Sequence, residues 1–211
     1  MSVTTLVMIR HGETDWNVQA RIQGHLDVPL NTLGQSQARA LGARLRSMQL
    51  DAVYSSDLSR ALQTAWPGFD DAETRIVREP RLRERHLGVL QGLTGEEAPV
   101  SQPDAWRAFK SREAAMPLEG GESLGDFSAR ILGFLREAVQ RHAGRRILCV
   151  THGGALDVAY RHATGMPLQA PRDFPIYNAS VNILVHDGGR LRVEHWGDVS
   201  HLPAELTLDD T

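Results

Sequence analysis

Leu6-Val7-Met8-Ile9-Arg10-His11-Gly12-Glu13-Thr14 and, far along the chain, Ile147-Leu148-Cys149-Val150-Thr151-His152-Gly153-Gly154 share one pattern: a short apolar run, a basic or small residue, then His-Gly. An apolar run that stops abruptly at polar residues and glycine reads as a buried parallel strand feeding a loop. In open α/β sheets, ligands bind outside the carboxyl ends of such strands. Two histidines delivered there from distant parts of the sequence can face one pocket. That placement points to imidazole chemistry rather than to packing.

Working outward, Pro29-Leu30-Asn31-Thr32 reads as a turn into a helix from about Leu33 to Met48, where Ala38, Leu41, Leu45 and Met48 recur at spacings of three and four. Ala52-Val53-Tyr54 reads as a strand. Ser55-Ser56-Asp57 offers caps for a helix starting near Leu58, with Arg60 in or near its first turn. Arg75-Ile76-Val77 reads as a further strand. Residues 85–121, broken by Pro99, Pro103, Pro117 and several glycines, read as an irregular insertion over the active site with a short helix near Ala105–Phe109. Leu124, Phe127, Ile131, Leu135 and Val139 restore helical periodicity behind Ser123 and Asp126, which have the spacing of a capping box. A helix from about Ala155 to Ala163 ends at Gly165 and Pro167. Val181–His186 and Leu191–Trp196 flank Asp187-Gly188-Gly189, a hairpin signal. Strands alternating with helices imply an α/β fold of three layers, α/β/α, with a mostly parallel sheet of roughly six strands. The closing hairpin contributes one antiparallel strand. The expectation is a single domain over 1–211.

With 211 residues, 41% hydrophobic and 23% charged, the composition is that of an ordinary globular chain able to bury one core. No apolar run reaches membrane-spanning length, and Met1-Ser2-Val3-Thr4-Thr5 has neither a basic segment nor an apolar stretch of a leader. A single cysteine, Cys149, leaves no intrachain disulfide and fits a cytoplasmic location. A net charge of −3 gives no ground for a nucleic-acid partner.

Arg10-His11-Gly12-Glu13-Thr14, with Trp16 and Asn17 behind it, resembles the signature of the histidine phosphatase superfamily, the phosphoglycerate-mutase-like proteins. Arg21-Ile22-Gln23-Gly24, Asp27-Val28-Pro29-Leu30 and Gly34-Gln35 are similar to its next segment. Ser55 to Ala65 resembles its second arginine motif. Leu82-Arg83-Glu84 with Gly88 and Gln91-Gly92-Leu93 resembles its acid motif. Gly120-Gly121-Glu122-Ser123 and Val150 to Gly154 complete the series in order.

The resemblance implies a phosphoglycerate-mutase-like fold and hydrolysis of small phosphorylated metabolites without cofactor or metal. His11 is the expected nucleophile, because a neutral imidazole attacks a phosphate dianion without adding negative charge. Arg10 and Arg60 are expected to grip the non-bridging oxygens with their planar forks. His152, cationic or donating a hydrogen bond, is expected to stabilise charge on the transferred group. Asn17, Gln23, Gly24 and Gly153 are expected to contact the same phosphate. Glu84 is the expected general acid, ahead of Glu13, Glu96, Glu97 and Glu122. The bland reading of Glu84 is an ion pair with Arg83 or Arg85. Cys149 reads as an inert core thiol, and of the remaining histidines only His86 has a claim to the pocket. Trp16, Trp106 and Phe109 read as core or lid packing, with a secondary claim to shape the substrate pocket.

The alternative activity is mutase, with 2,3-bisphosphoglycerate-dependent interconversion of 2- and 3-phosphoglycerate. That pattern wants a tyrosine where Leu87 stands, a lysine near Gly95-Glu96-Glu97 and an adjacent arginine pair, whereas this chain has Arg107, Lys110 and Arg112. Phosphatase is therefore favoured. A non-catalytic phospho-ligand-binding module is a minor alternative. A monomer or homodimer is expected, with no membrane partner.

Overall fold

Alternation along the strands builds the two faces of the sheet. In β1 (Thr4–Arg10), Leu6 and Met8 join one buried apolar cluster, while Val7 and Ile9 join another. In β4 (Arg146–Thr151), Ile147 and Cys149 sit with the first set, Leu148 and Val150 with the second. Successive side chains of a strand point to opposite faces, so a continuous apolar run demands a covering layer on each.

The computed structural model describes residues 3–204, so that Met1 and Ser2 at the start and residues 205–211 of the expected 1–211 domain lie outside them. Between β1 and β4 come α1 (Asp15–Val18), α2 (Thr32–Ser47), β2 (Ala52–Ser55), α3 (Ser59–Ala65), α4 (Ala72–Arg75), β3 (Val77–Arg78), α5 (Glu97–Ser101), α6 (Pro103–Ser111) and α7 (Leu124–Arg141). After β4 follow α8 (Gly153–Thr164), β5 (Val181–Asp187) and β6 (Arg190–Asp198). The strands form one six-stranded sheet in the order β3-β2-β4-β1-β5-β6. Pairing is parallel from β3 through β1, and β5 is antiparallel to both β1 and β6, so β5 alone is reversed. Leu41 and Leu45 of α2 with Ala61 and Ala65 of α3 cover one face. Phe127, Ile131 and Leu135 of α7 with Leu156 and Ala159 of α8 cover the other. This is the expected three-layer α/β/α arrangement with one reversed strand. No described helix is long and apolar enough to cross a membrane.

Two local expectations are corrected. Arg75 ends the short helix α4 rather than opening a strand, and β3 holds only Val77 and Arg78. The helix at Arg60 is not capped by Ser55, Ser56 or Asp57. Its N-cap is Leu58, without a side-chain cap, and the Asp27 carboxylate accepts both the Ser59 N–H at 2.7 Å and the Ser59 hydroxyl at 2.7 Å. Asp57 instead pairs bidentately with Arg83. A residue 32 positions earlier thus supplies the missing acceptor for an orphan helix donor.

Within 85–121, α5 and α6 pack on their own small core of Leu87, Leu90, Ala98 and Leu118, joined by Trp106 and Phe109. Leu87, Phe109, Lys110 and Arg112 from this insertion line the cavity described next.

Candidate active site

The carboxyl ends of β1 and β4 lie side by side, because the ladder continues one step past β1 through His11 N–H to the Thr151 carbonyl at 3.0 Å. His11 and His152 therefore stand next to each other, ring centroids 5.1 Å apart. His11 borders a cavity of about 750 Å³ whose lining also includes Arg10, Asn17, Gln23, Gly24, Arg60, Glu84 and Gly153. Of the expected site residues only His152 is absent from that lining. It lies wholly buried just beneath, as N-cap of α8.

His11 is fixed on every side but one. Its Nδ1–H donates to the Gly12 carbonyl at 2.7 Å, which leaves the Nε2 lone pair free. The segment leading into the reversed strand braces its backbone: Ala179 N–H and the Asn178 amide both donate to the His11 carbonyl, at 3.3 and 2.9 Å. Burial, then the charges of Arg60 and Arg10, hold its pKa well below 6.5, so the ring is neutral at physiological pH.

Arg60 is almost wholly buried and held by three acceptors. Nη1 donates to Leu26 O at 2.9 Å, Nη2 to Gly24 O at 2.8 Å and Nε to His152 Nδ1 at 3.2 Å. Gly24 takes φ +52°, and a Cβ there would stand 2.2 Å from Gln91 Oε1. Its role is thus a backbone turn that presents a carbonyl to the arginine. Burial lowers the Arg60 pKa to about 10, which still leaves it cationic. Arg10, also buried, donates from Nη1 to Ile176 O at 2.6 Å.

His152 corrects one expectation. A guanidinium can only donate, so Nδ1 of His152 is the unprotonated nitrogen and Nε2–H donates to Ser56 Oγ at 2.8 Å. Burial, Arg60 and His11 push its pKa well below 6.5. It is neutral here, not cationic, and it orients Arg60.

Glu84 is the only one of the five weighed acids that lines the cavity. It pairs with neither Arg83 nor the Arg85 side chain. Oε2 accepts the Gly154 N–H at 2.8 Å and Oε1 accepts the Arg85 N–H at 2.7 Å. Its segment is clamped by Arg130, which donates to the carbonyls of Arg81, Arg83 and Glu84 at 2.8, 3.0 and 3.0 Å and grips Glu122 with both remaining bonds.

Asn17 gives its Oδ1 to a capping box with Thr14, leaving the amide N–H groups to donate toward a ligand. Gln23 Oε1 is buried without a hydrogen-bond partner. Trp16 and Phe109 line the cavity and Trp106 packs on the small core of the 85–121 insertion. His86 is not among the lining residues: it packs edge-on against His25, centroids 4.7 Å apart. Sequence reading missed the Arg130 clamp, and named Ser56 only as a helix cap rather than as the acceptor for His152. No cluster able to hold a metal ion occurs among the described residues.

The pattern of the histidine phosphatase superfamily (branch 1) matches residues 6–199. The chain belongs to this family. It is similar to phosphoglycerate mutase-like protein 4 of Arabidopsis thaliana, 40% identical over 201 residues that cover 93% of this chain and 86% of the relative. A metal-independent phosphoserine phosphatase of the same plant is 39% identical over 206 residues, covering 95% and 84%. Among solved structures, the mycobacterial glucosyl-3-phosphoglycerate phosphatase superposes with a TM-score of 0.77 at 33% identity, covering 92% of this chain and 99% of that one.

Proposed function

We propose that this protein is a phosphoric monoester hydrolase of the acid-active type that works through a phosphohistidine on Nε2 of His11. The observation that carries the reading is the fixed tautomer: Nδ1–H is committed to Gly12 O, so Nε2 presents a lone pair into a cavity that also holds Arg10, Arg60 and Glu84.

In the first step the Nε2 lone pair bonds to phosphorus as the ester P–O bond breaks. Glu84, protonated, gives its proton to the departing alkoxide. Arg10 and Arg60 carry the charge of the equatorial oxygens without having to reorganise, since their forks are already held by carbonyls. Asn17 and the backbone at Gly153 complete the cradle at the N-terminus of α8. In the second step water attacks phosphorus, Glu84 takes its proton and the P–N bond breaks, releasing phosphate. No metal or organic cofactor enters this scheme. The depressed His11 pKa keeps the nucleophile unprotonated into the acid range, which supports the acid-active assignment.

The partner is a small phosphorylated metabolite; phosphoserine and glucosyl-3-phosphoglycerate, named in the relatives, are the first esters to assay. We place the reaction in the cytoplasm, with the protein a monomer or homodimer. The test is hydrolysis of p-nitrophenyl phosphate in EDTA. Turnover by the native protein and none by His11→Ala supports the reading. A mutase would instead interconvert 2- and 3-phosphoglycerate once primed with 2,3-bisphosphoglycerate, and efficient interconversion would displace the hydrolase assignment.

A further inference from the structure

Arg60 and Glu84 must act on one ester at once, yet they lie on separate segments of the chain. The guanidinium of Arg60 is placed by the carbonyls of Gly24 and Leu26, the two neighbours of His25. The carboxyl group of Glu84 is placed by the turn that runs on to Leu87. His25 is joined to both. Its ring Nε2–H donates to the Glu84 carbonyl at 2.8 Å, and its backbone N–H donates to Gln91 Oε1 at 2.7 Å. The same Gln91 oxygen accepts the Leu87 N–H at 3.3 Å, so both ends of the acid-bearing turn are tied to residue 25. Gly24 lets this oxygen come close, because its φ of +52° and missing Cβ leave the space free.

A carbonyl can only accept, so the ring proton of His25 sits on Nε2. Burial, then His86 and Arg130, lower the ring's pKa against the opposing pull of the Glu84 carbonyl and Glu122, and the ring is neutral. His86, edge-on to it, is itself fixed: its N–H donates to Glu122 Oε2 at 2.8 Å and its Nδ1 accepts the Gly88 N–H at 3.2 Å. Neither His25 nor Gln91 lines the cavity, so their influence on the ester runs through Arg60 and Glu84. In the transition state the equatorial oxygens load Arg60 while the departing oxygen loads Glu84. A shift of about 1 Å between the two then costs roughly 100-fold. In the ground state the ester oxygen makes no demand on Glu84, so the spacing matters less there.

We propose that His25, with Gln91, is a positioning residue that fixes the distance between the Arg60 clamp and the Glu84 acid. The part played by the acid rests on the phosphatase reading; the mechanical tie between the two turns does not.

The test compares two substitutions. His25→Phe keeps a ring against His86 and removes the donor, whereas His25→Gln returns an amide N–H at the reach of Nε2. For phosphoserine, His25→Phe is expected to lower kcat roughly tenfold and leave KM within about twofold, with p-nitrophenyl phosphate falling less than about threefold. Calorimetry without turnover gives the matching pair. Orthovanadate, which takes up the five-coordinate geometry on the imidazole, is expected to bind roughly tenfold more weakly to His25→Phe, and inorganic phosphate within about twofold of native. His25→Gln is expected to recover most of the loss in kcat and in vanadate affinity, which a general loosening of the fold would not allow. Gln91→Met and Gln91→Glu, without and with the acceptor oxygen, repeat the comparison if His25→Phe does not fold. Vanadate binding that is unchanged, or weakened no more than phosphate binding, overturns the proposal, as does a loss that His25→Gln fails to recover. A native protein that hydrolyses neither ester sinks the phosphatase reading, and the vanadate and phosphate affinities then decide the tie by themselves. A native protein that binds no vanadate overturns both.

Discussion

Gly154→Ala is the sharpest perturbation of the acid step. A Cβ at residue 154 would stand 2.2 Å from Glu84 Oε1, 3.0 Å from its Cδ and 3.2 Å from Oε2. Ordinary contact begins near 3.4 Å, so the carboxyl group must retreat by about 1 Å. The obstruction is the far end of a flexible side chain, and residue 154 lies in a regular helix where alanine gains about 0.5–1 kcal/mol over glycine. Stability should therefore stay within about 1 kcal/mol of native. A misplacement of that size costs roughly 100-fold in a positioned proton transfer. We expect kcat/KM for an alkyl ester such as phosphoserine to fall about 100-fold, and that for p-nitrophenyl phosphate, whose leaving group needs no proton, only a few-fold. Thermal melts alongside both assays separate chemistry from folding. Equal losses on the two esters with a native-like Tm refute the placement of Glu84 as the acid.

Glu84→Gln should reproduce the same split between alkyl and aryl esters without a steric component. Arg130→Met removes the clamp on the Arg81–Glu84 carbonyls and strands Glu122; urea unfolding should show a loss of about 2–4 kcal/mol, partly recovered by adding Glu122→Gln. Asp27→Ala strips the remote cap of α3 and should cost about 1 kcal/mol while lowering kcat/KM, because Arg60 is the second residue of that helix. His11 and His152 are held neutral when folded, whereas the unfolded chain takes up protons there below pH 6.5. Stability should therefore decline as pH falls from about 6.5, by up to about 1.4 kcal/mol per pH unit for each histidine, and the double substitution to Gln should flatten that slope in calorimetry. Burial raises the Cys149 thiol far above its ordinary range, so a thiol reagent should label it only at the rate of unfolding.

The parts legible in the sequence are those written in adjacent residues. The β1 and β4 runs announce themselves because a strand buried on both faces needs apolar side chains at every position. Gly188 and Gly189 mark the hairpin because both take positive φ, 60° and 87°. His11, Arg10, Arg60 and Glu84 stand where the motif places them. What escaped notice depends on contacts between distant segments. Asp27 caps a helix that begins at Ser59, so the local sequence offered plausible but idle caps in Ser55, Ser56 and Asp57. The charge state of His152 follows from a guanidinium 92 residues away. Arg85 looked like a salt-bridge partner for Glu84, but its Nε donates to the Glu122 carbonyl, 37 residues away, while Arg130 takes the Glu122 carboxylate.

The reversal of β5 carries a far part of the chain to the reacting histidines. Because it runs against its neighbours, the segment leading into it arrives at the end of the sheet where the histidines stand, and there Ile176, Asn178 and Ala179 engage Arg10 and His11. A chain truncated before Ile176 would keep every reacting side chain named above, yet lose the contacts of Ile176, Asn178 and Ala179 with Arg10 and His11. The nucleophile and its arginine are thus braced by residues 166 and 167 positions further along the sequence.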